Sequence, residues 1–85
     1  MTQGELSMVK IELLSVDETD AVYKYFPEQE TENYGVISVN RKTGERSIRQ
    51  KALKYGSEYA FHACREIERY IAKNDFKSRG LVAWY

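Results

Sequence analysis

Residues 34–51 read YGVISVNRKTGERSIRQK, and their pattern predicts a β-hairpin from which the rest of the fold can be assigned. The segment over about 34–40 is rich in β-branched residues, which favour strands. The turn that follows fits type I geometry closed by Gly44, because glycine adopts a positive φ without steric cost. The returning strand, about 45–51, has Ile48 as its one large apolar residue, a composition typical of a sheet edge protected by charge.

Two segments upstream of this hairpin alternate between apolar and polar residues, as strands that bury one face do. The first covers about 8–16, where alternate apolar residues from Val9 to Leu13 share one face. The second covers about 21–27 and ends at Pro27, which lacks the backbone N–H that a strand ladder needs. The sequence therefore predicts four consecutive strands joined by short connections.

Two acidic segments lie between these strands. Asp17, Glu18 and Asp20 have the short side chains typical of a turn, although they would also suit a loose calcium site. They lack the spacing, the glycine and the closing glutamate of an EF-hand loop, so we favour the turn. Residues 28–33 read EQETEN and indicate a solvated loop, with mimicry of nucleic acid or docking on a basic partner as the alternatives.

The periodicity changes after residue 56 and predicts a helix over about 57–73. Ser57 is suited to cap the first turn, and Asn74 tolerates the left-handed conformation that often ends a helix. One apolar stripe follows helical spacing and is expected to cover one face of the sheet. That stripe consists of Ala60, Ala63, Cys64, Ile67 and Ile71.

Residues 81–85 read LVAWY and form the most hydrophobic run of the chain. Such a run promotes aggregation unless a sheet or a partner covers it. We predict a fifth strand that joins its own sheet, with pairing to a second copy and binding of another partner as the alternatives. The strand would follow the helix, in the order β-β-β-β-α-β.

The predicted fold class is therefore α+β, with an antiparallel sheet of four to five strands packed on one face by a single helix. A chain of 85 residues is below the usual size for two domains, so residues 1–85 are expected to form one domain. Residues 1–7 are expected to be flexible, since they carry no strand or helix pattern.

The zero net charge of the chain conceals an asymmetry between its halves. Residues 1–40 carry eight acids and two bases, whereas residues 41–85 carry five acids and eleven bases, which gives net charges of −6 and +6. We favour neutralisation across the sheet, where acidic and basic strands pair. The alternative is a basic face directed at nucleic acid or at an acidic partner.

Most of the basic charge falls within residues 41–54, whose net charge is +5 from six bases and one acid. A basic β-hairpin can lie in a nucleic-acid groove and contact phosphates. The isoelectric point near 6.6 counts against this reading unless the two signs are well separated in space. The candidate nucleic-acid-binding residues are Arg41, Lys42, Arg46, Arg49, Lys51 and Lys54.

Aromatic residues are the second group of candidates, because seven tyrosines and one tryptophan serve either a small core or an interface. A sheet covered by one helix leaves its other face open, and aromatic residues on that face would form a binding surface. The candidate partner-binding residues are Tyr23, Tyr25, Tyr34, Trp84 and Tyr85.

No motif indicates catalysis, a metal or a cofactor. The chain has no glycine-rich phosphate loop, no Cys-x-x-Cys and only one histidine. His62 and Cys64 are two residues apart on the predicted helix, about 200° around its axis, so they cannot act as nucleophile and base. A single cysteine, with neither a basic-then-apolar leader nor a membrane-length apolar run, predicts a cytoplasmic protein that no membrane anchors.

No motif is specific enough to indicate a family, and three classes of function remain. We favour a small cytosolic, non-catalytic protein that acts through protein contacts as a regulator, inhibitor or accessory subunit. A homodimer formed through strand 81–85 is one form of that role. The alternative is a nucleic-acid-binding module that uses hairpin 41–54, and the third class is a small enzyme, since carboxylate, tyrosine or arginine chemistry needs no signature.

Overall fold

The computed structural model of the chain describes residues 6–85, which form five strands and one helix. The predicted α+β class is confirmed, and each element lies within two residues of its predicted position. Ser7 already belongs to the first strand, which corrects the expected flexible segment at that residue, while residues 1–5 lie outside the described residues. The elements are β1 Ser7–Val16, β2 Asp20–Pro27, β3 Gly35–Asn40, β4 Arg46–Gln50, α1 Glu58–Lys73 and β5 Arg79–Trp84.

All neighbouring strands run antiparallel, in the spatial order β4-β3-β2-β1-β5. The first four strands follow one another as hairpins, and α1 then carries the chain across the sheet to the far side of β1. The last strand therefore joins its own sheet, as predicted, and β4 and β5 form the two edges. Residues 81–83 of β5 pair with β1 residues 8–10.

The hairpin turns are held by side chains that replace backbone acceptors. One Asp17 carboxylate oxygen accepts the N–H groups of Thr19 and Asp20, both at 2.8 Å, and these bonds lower the pKa of Asp17. The Asn40 side chain accepts two N–H groups of its own turn, and Gly44 has the expected positive φ of 78°. These local bonds fix the hairpin registers.

The core lies between α1 and the face of the sheet that contains Val9, Ile11, Tyr23, Tyr25 and Ile37, which we call the helix face. The two tyrosines occupy its centre and are fully buried. Their bulk requires a glycine opposite, because a Cβ on the residue paired with Tyr25, at position 35, would lie 2.2 Å from the tyrosine ring.

The helix differs from prediction in two details. Tyr70 takes the buried position expected of Ile71, which is only half-buried. Ser57 makes no side-chain capping bond, because its backbone is already helical at φ −68° and ψ −11°. The C-terminal prediction is confirmed, since Asn74 is left-handed at φ 52° and its N–H bonds back to the carbonyl of Ile71.

Candidate interaction surfaces

The outer edge of β5 carries backbone groups that no strand of residues 6–85 pairs with. The N–H of Leu13 donates to the carbonyl of Ser78 at 2.9 Å, one step beyond the β1–β5 ladder. Because hydrogen-bonded pairs alternate along an antiparallel ladder, this bond fixes the direction of every group in β5. The N–H and C=O groups of Arg79, Leu81 and Ala83 therefore point away from the sheet.

The two edges of the sheet differ in their protection against strand pairing. In β4 every residue is exposed, Arg46 and Arg49 are charged, and a register shift interrupts the ladder near Val36. Charged side chains and bulges are the usual means by which edges avoid pairing with other strands. The edge of β5 has neither an irregular register nor a charge beyond Arg79, and the Leu81 side chain is exposed.

An aromatic row covers the helix-facing side of β5. Trp84 stacks on His62 of α1, with ring centroids 3.8 Å apart and planes within 12°. Tyr59 packs edge-on against Trp84 at 5.3 Å, and Tyr55 packs edge-on against Tyr59 at 5.1 Å. These contacts hold β5 against the helix, a role for His62 that the apolar stripe predicted from the sequence did not include. The sequence contained one signal of this shared contact with Trp84. His62 and Tyr59 are three residues apart, so both side chains lie on one flank of the helix.

The acidic loop is tied to the same row through tyrosine hydroxyl groups. Tyr59 donates to Glu28 at 2.8 Å, and Tyr55 donates to Glu30. The bond to Glu30, together with burial, raises the pKa of Tyr55 to about 12, while the Tyr55 bond lowers the pKa of Glu30. Two of the three loop glutamates, Glu28 and Glu30, therefore stabilise the fold by accepting hydrogen bonds from these tyrosines.

The candidate aromatic surface on the open face of the sheet is smaller than predicted. Tyr23 and Tyr25 lie under α1, so the prediction that they line an open face is wrong. Lys24 lies between them on the opposite face, which was the signal that the tyrosines point inward. Tyr34 is on the open face, packed 5.6 Å from the Phe26 ring, with the Lys24 ammonium 4.6 Å above it.

The remaining two aromatic candidates lie at the end of β5. Trp84 is half-buried in the aromatic row, and Tyr85 is exposed beyond the strand. The structure thus brings only these two together beside the unpaired edge and separates them from Tyr34.

The basic candidates divide into two groups. Arg46 binds Glu68 of α1 through two bonds of 2.7 and 2.9 Å, and Arg49 contacts Ser38 and Asp20 at 3.1 and 3.7 Å. Arg41 donates to the carbonyl of Asp17 and lies 4.9 Å from the Phe76 ring. The other three candidates, Lys42, Lys51 and Lys54, are exposed.

The one cysteine of residues 6–85 lies in the core. Cys64 is on the buried side of α1, and burial raises the pKa of its thiol to about 11, which disfavours the reactive thiolate. No group of three metal-ligating side chains occurs in this part of the chain. No helix among the same residues is long and apolar enough to cross a membrane.

No protein-family model, curated protein or solved structure matches this chain.

Proposed function

We propose that this protein is a non-catalytic protein-contact module that associates with a second copy of itself through the edge of β5. The observation that carries the proposal is the outward direction of the Arg79, Leu81 and Ala83 backbone groups on a regular edge whose one charged residue is Arg79. Such an edge adds a strand from another chain through main-chain hydrogen bonds. A regulator, inhibitor or accessory subunit in a reducing compartment such as the cytoplasm would suit this architecture.

The geometry of β5 favours one register for the pairing. A symmetric antiparallel pair centred on Leu81 places Leu81 opposite Leu81 of the second copy, and Arg79 opposite Ala83 of the second copy. All three outward-facing residues then exchange hydrogen bonds with the second copy, about six bonds in total. The two Arg79 side chains avoid each other, so like charges do not meet across the interface. The interface is isologous, as closed dimers require.

The electrostatics of the chain are compatible with self-association. Its net charge is zero, so two copies do not repel each other over long distances. The exposed Leu81 side chain would pack against its counterpart on the open face. The aromatic row on the other side holds β5 against α1, so the edge is presented by a fixed strand rather than a frayed one.

The nucleic-acid alternative receives less support from the described contacts. Three of its six candidate residues, Arg41, Arg46 and Arg49, are engaged by groups of their own chain. Phosphate binding would therefore depend on the three exposed lysines, a smaller charge than the segment carries. We therefore favour the protein-contact role over nucleic-acid binding.

The proposal is tested by light scattering on a sizing column with the wild-type chain and Leu81→Pro. Proline at an outward-facing edge position removes the N–H that pairs with the second copy but leaves the β1–β5 ladder intact. We expect a mass of about 20 kDa for the wild type, twice the 10.0 kDa of one chain, and a folded monomer for Leu81→Pro. Leu81→Val is the matched control, since it keeps the N–H and should remain dimeric.

A wild-type monomer at every concentration tested would overturn the proposal, and so would a dimeric Leu81→Pro variant. Circular dichroism of each variant establishes that the fold is retained. Adding a mixed oligonucleotide pool at low salt tests the alternative in the same experiment. Co-elution of the oligonucleotides with a monomeric wild-type chain would favour the nucleic-acid alternative.

A further inference from the structure

A groove runs along β5 on the helix-face side, between that strand and α1. It contains a cavity of about 250 Å³. The strand contributes Val82, Ala83 and Trp84 to its lining, and α1 contributes the ionisable residues of one flank. Those residues are His62, Arg65, Glu66 and Arg69. The groove therefore lies directly beside the edge at which β5 can accept another strand.

Contacts within the chain hold the walls of this groove in place. The Trp84 ring stacks on His62, with centroids 3.8 Å apart. On the same flank of the helix, Arg69 donates to the Glu66 carboxylate at 3.3 Å. A ligand that enters the groove would therefore have to order few groups of the protein, which favours binding.

The lining of the groove carries a net positive charge. Arg65 and Arg69 are its two bases of fixed charge, and Glu66 is the one carboxylate among the lining residues. Glu66 is already paired with Arg69, whereas no ion pair among residues 6–85 includes Arg65. An added carboxylate would therefore meet a positive charge that the fold does not neutralise.

The charges around the groove differ between its two ends. Toward the C-terminal end of α1, the adjoining cavity is lined by Lys73, Lys77 and Asp75, and Asp75 is paired with Lys77 at 3.4 Å. Toward the N-terminal end, Glu58 in the first turn of α1 and Glu28, which accepts a bond from that turn, reverse the sign. The attraction for an anion is therefore strongest in the C-terminal half of the groove.

The second copy proposed above would not supply that anion. In the pairing centred on Leu81, Gly80 of the second copy lies opposite Val82, and Ser78 of the second copy lies opposite Trp84. These are the positions at which side chains of an added strand point to the helix face, because paired residues share a face. Neither residue carries a negative charge, so the dimer leaves the groove without its complement.

We infer that the β5 edge also accepts an extended segment of a partner protein that carries an acidic residue opposite Val82. The segment would add antiparallel to β5 through the outward groups of Leu81 and Ala83. In this mode of recognition, main-chain bonds supply affinity and side-chain pockets supply specificity. The acidic side chain would extend over the groove toward Arg65 and Arg69. The inference rests on the free edge of the proposed function and not on the second copy, which the segment would displace.

The inference is tested with two fluorescein-labelled peptides, both rich in Thr and Val, that differ only in having Glu or Gln at one central position. Fluorescence anisotropy is followed over a range of chain concentrations. The groove variant is the double substitution Arg65→Gln and Arg69→Gln. Arg79→Gln is the matched control, because it removes a charge from the same edge but on the opposite face, where Arg79 pairs with Glu12. Leu81→Pro removes the outward N–H of the edge.

We expect the wild type and Arg79→Gln to bind the Glu peptide about fivefold more tightly than the Gln peptide. The preference should disappear in the groove variant and shrink as salt is added, and neither peptide should bind Leu81→Pro. Equal binding of the two peptides by the wild type would overturn the inference. A preference for Glu that survives in the groove variant or in Leu81→Pro would overturn it as well.

Light scattering of the same mixtures separates this inference from the proposed dimer. Conversion of a wild-type dimer to a peptide-bound monomer by the Glu peptide would support both. A wild-type monomer that prefers the Glu peptide would contradict the dimer and leave the groove assignment standing. A wild-type dimer that shows no preference at any chain concentration would contradict the groove assignment alone.

Discussion

At the residue scale, the core depends on tyrosines whose hydroxyl groups have partners inside the fold. The Tyr23 hydroxyl donates to the carbonyl of Lys77 at 2.7 Å, and burial raises the pKa of that tyrosine. The Tyr25 hydroxyl accepts the N–H of Ala52 at 3.0 Å in a buried position. A chain with few large aliphatic residues thus fills its core with aromatic rings and satisfies their polar ends locally.

The Tyr25→Phe substitution is expected to destabilise the protein by about 1–3 kcal/mol, because it leaves the buried N–H of Ala52 without an acceptor. The measurement is the free energy of unfolding in urea. Tyr85→Phe is the control, since Tyr85 is exposed and its substitution should change stability by less than about 0.5 kcal/mol. Equal stability of Tyr25→Phe and the wild type would show that the bond contributes nothing.

The sequence predicted that β2 is a strand, but the prediction of which of its faces is open was wrong. Both faces of this strand carry aromatic residues, with Tyr23 and Tyr25 on one and Phe26 on the other. Alternation alone cannot choose between them, because the period of two is the same for either face. The choice depends on where α1 packs, which is a long-range property. If the opposite face lay beneath the helix, the charge of Lys24 would be buried, which is unfavourable.

At the element scale, the hairpin of β3 and β4 could be predicted because its determinants are local. Asn40 and Gly44 set the turn, and the charged residues of β4 mark it as an edge. The predicted neutralisation between acidic and basic strands is largely replaced by other contacts. Within residues 6–85, Arg49–Asp20 is the one ion pair between the two halves, and Arg46 instead binds the helix.

The Arg46–Glu68 pair predicts a pH dependence of stability. The Arg46 guanidinium lowers the pKa of Glu68 in the folded state, so the pair stabilises the protein at neutral pH and loses this effect as pH falls through the folded pKa. Both side chains are about one-third exposed, so we expect about 0.2–1 kcal/mol. Urea unfolding should show Glu68→Gln less stable than the wild type at neutral pH and equally stable in acid.

A double-mutant cycle with Arg46→Gln separates the pair from the other effects of each substitution. The coupling energy should be present at neutral pH and vanish in acid. A coupling that does not change with pH would contradict the assigned cause.

At the scale of the whole molecule, the position of β5 could not be read from the chain. The sequence indicated a strand after the helix, but its placement beside β1 joins residues about 70 positions apart. The outward groups of β5, on which the proposed dimer depends, follow from this β1–β5 ladder.

The cross-linking of Leu81→Cys tests the pairing of two β5 edges most directly. In the proposed register the two position-81 Cα atoms lie about 5.5 Å apart, within the usual range for a disulfide. Ala83→Cys is the control, because position 83 would face Arg79 of the second copy and not itself. Native Cys64 is buried with a raised pKa and should not compete. We predict rapid oxidation of Leu81→Cys to a covalent dimer in folded protein while Ala83→Cys stays monomeric on a denaturing gel; equal or absent cross-linking of the two variants would contradict the account.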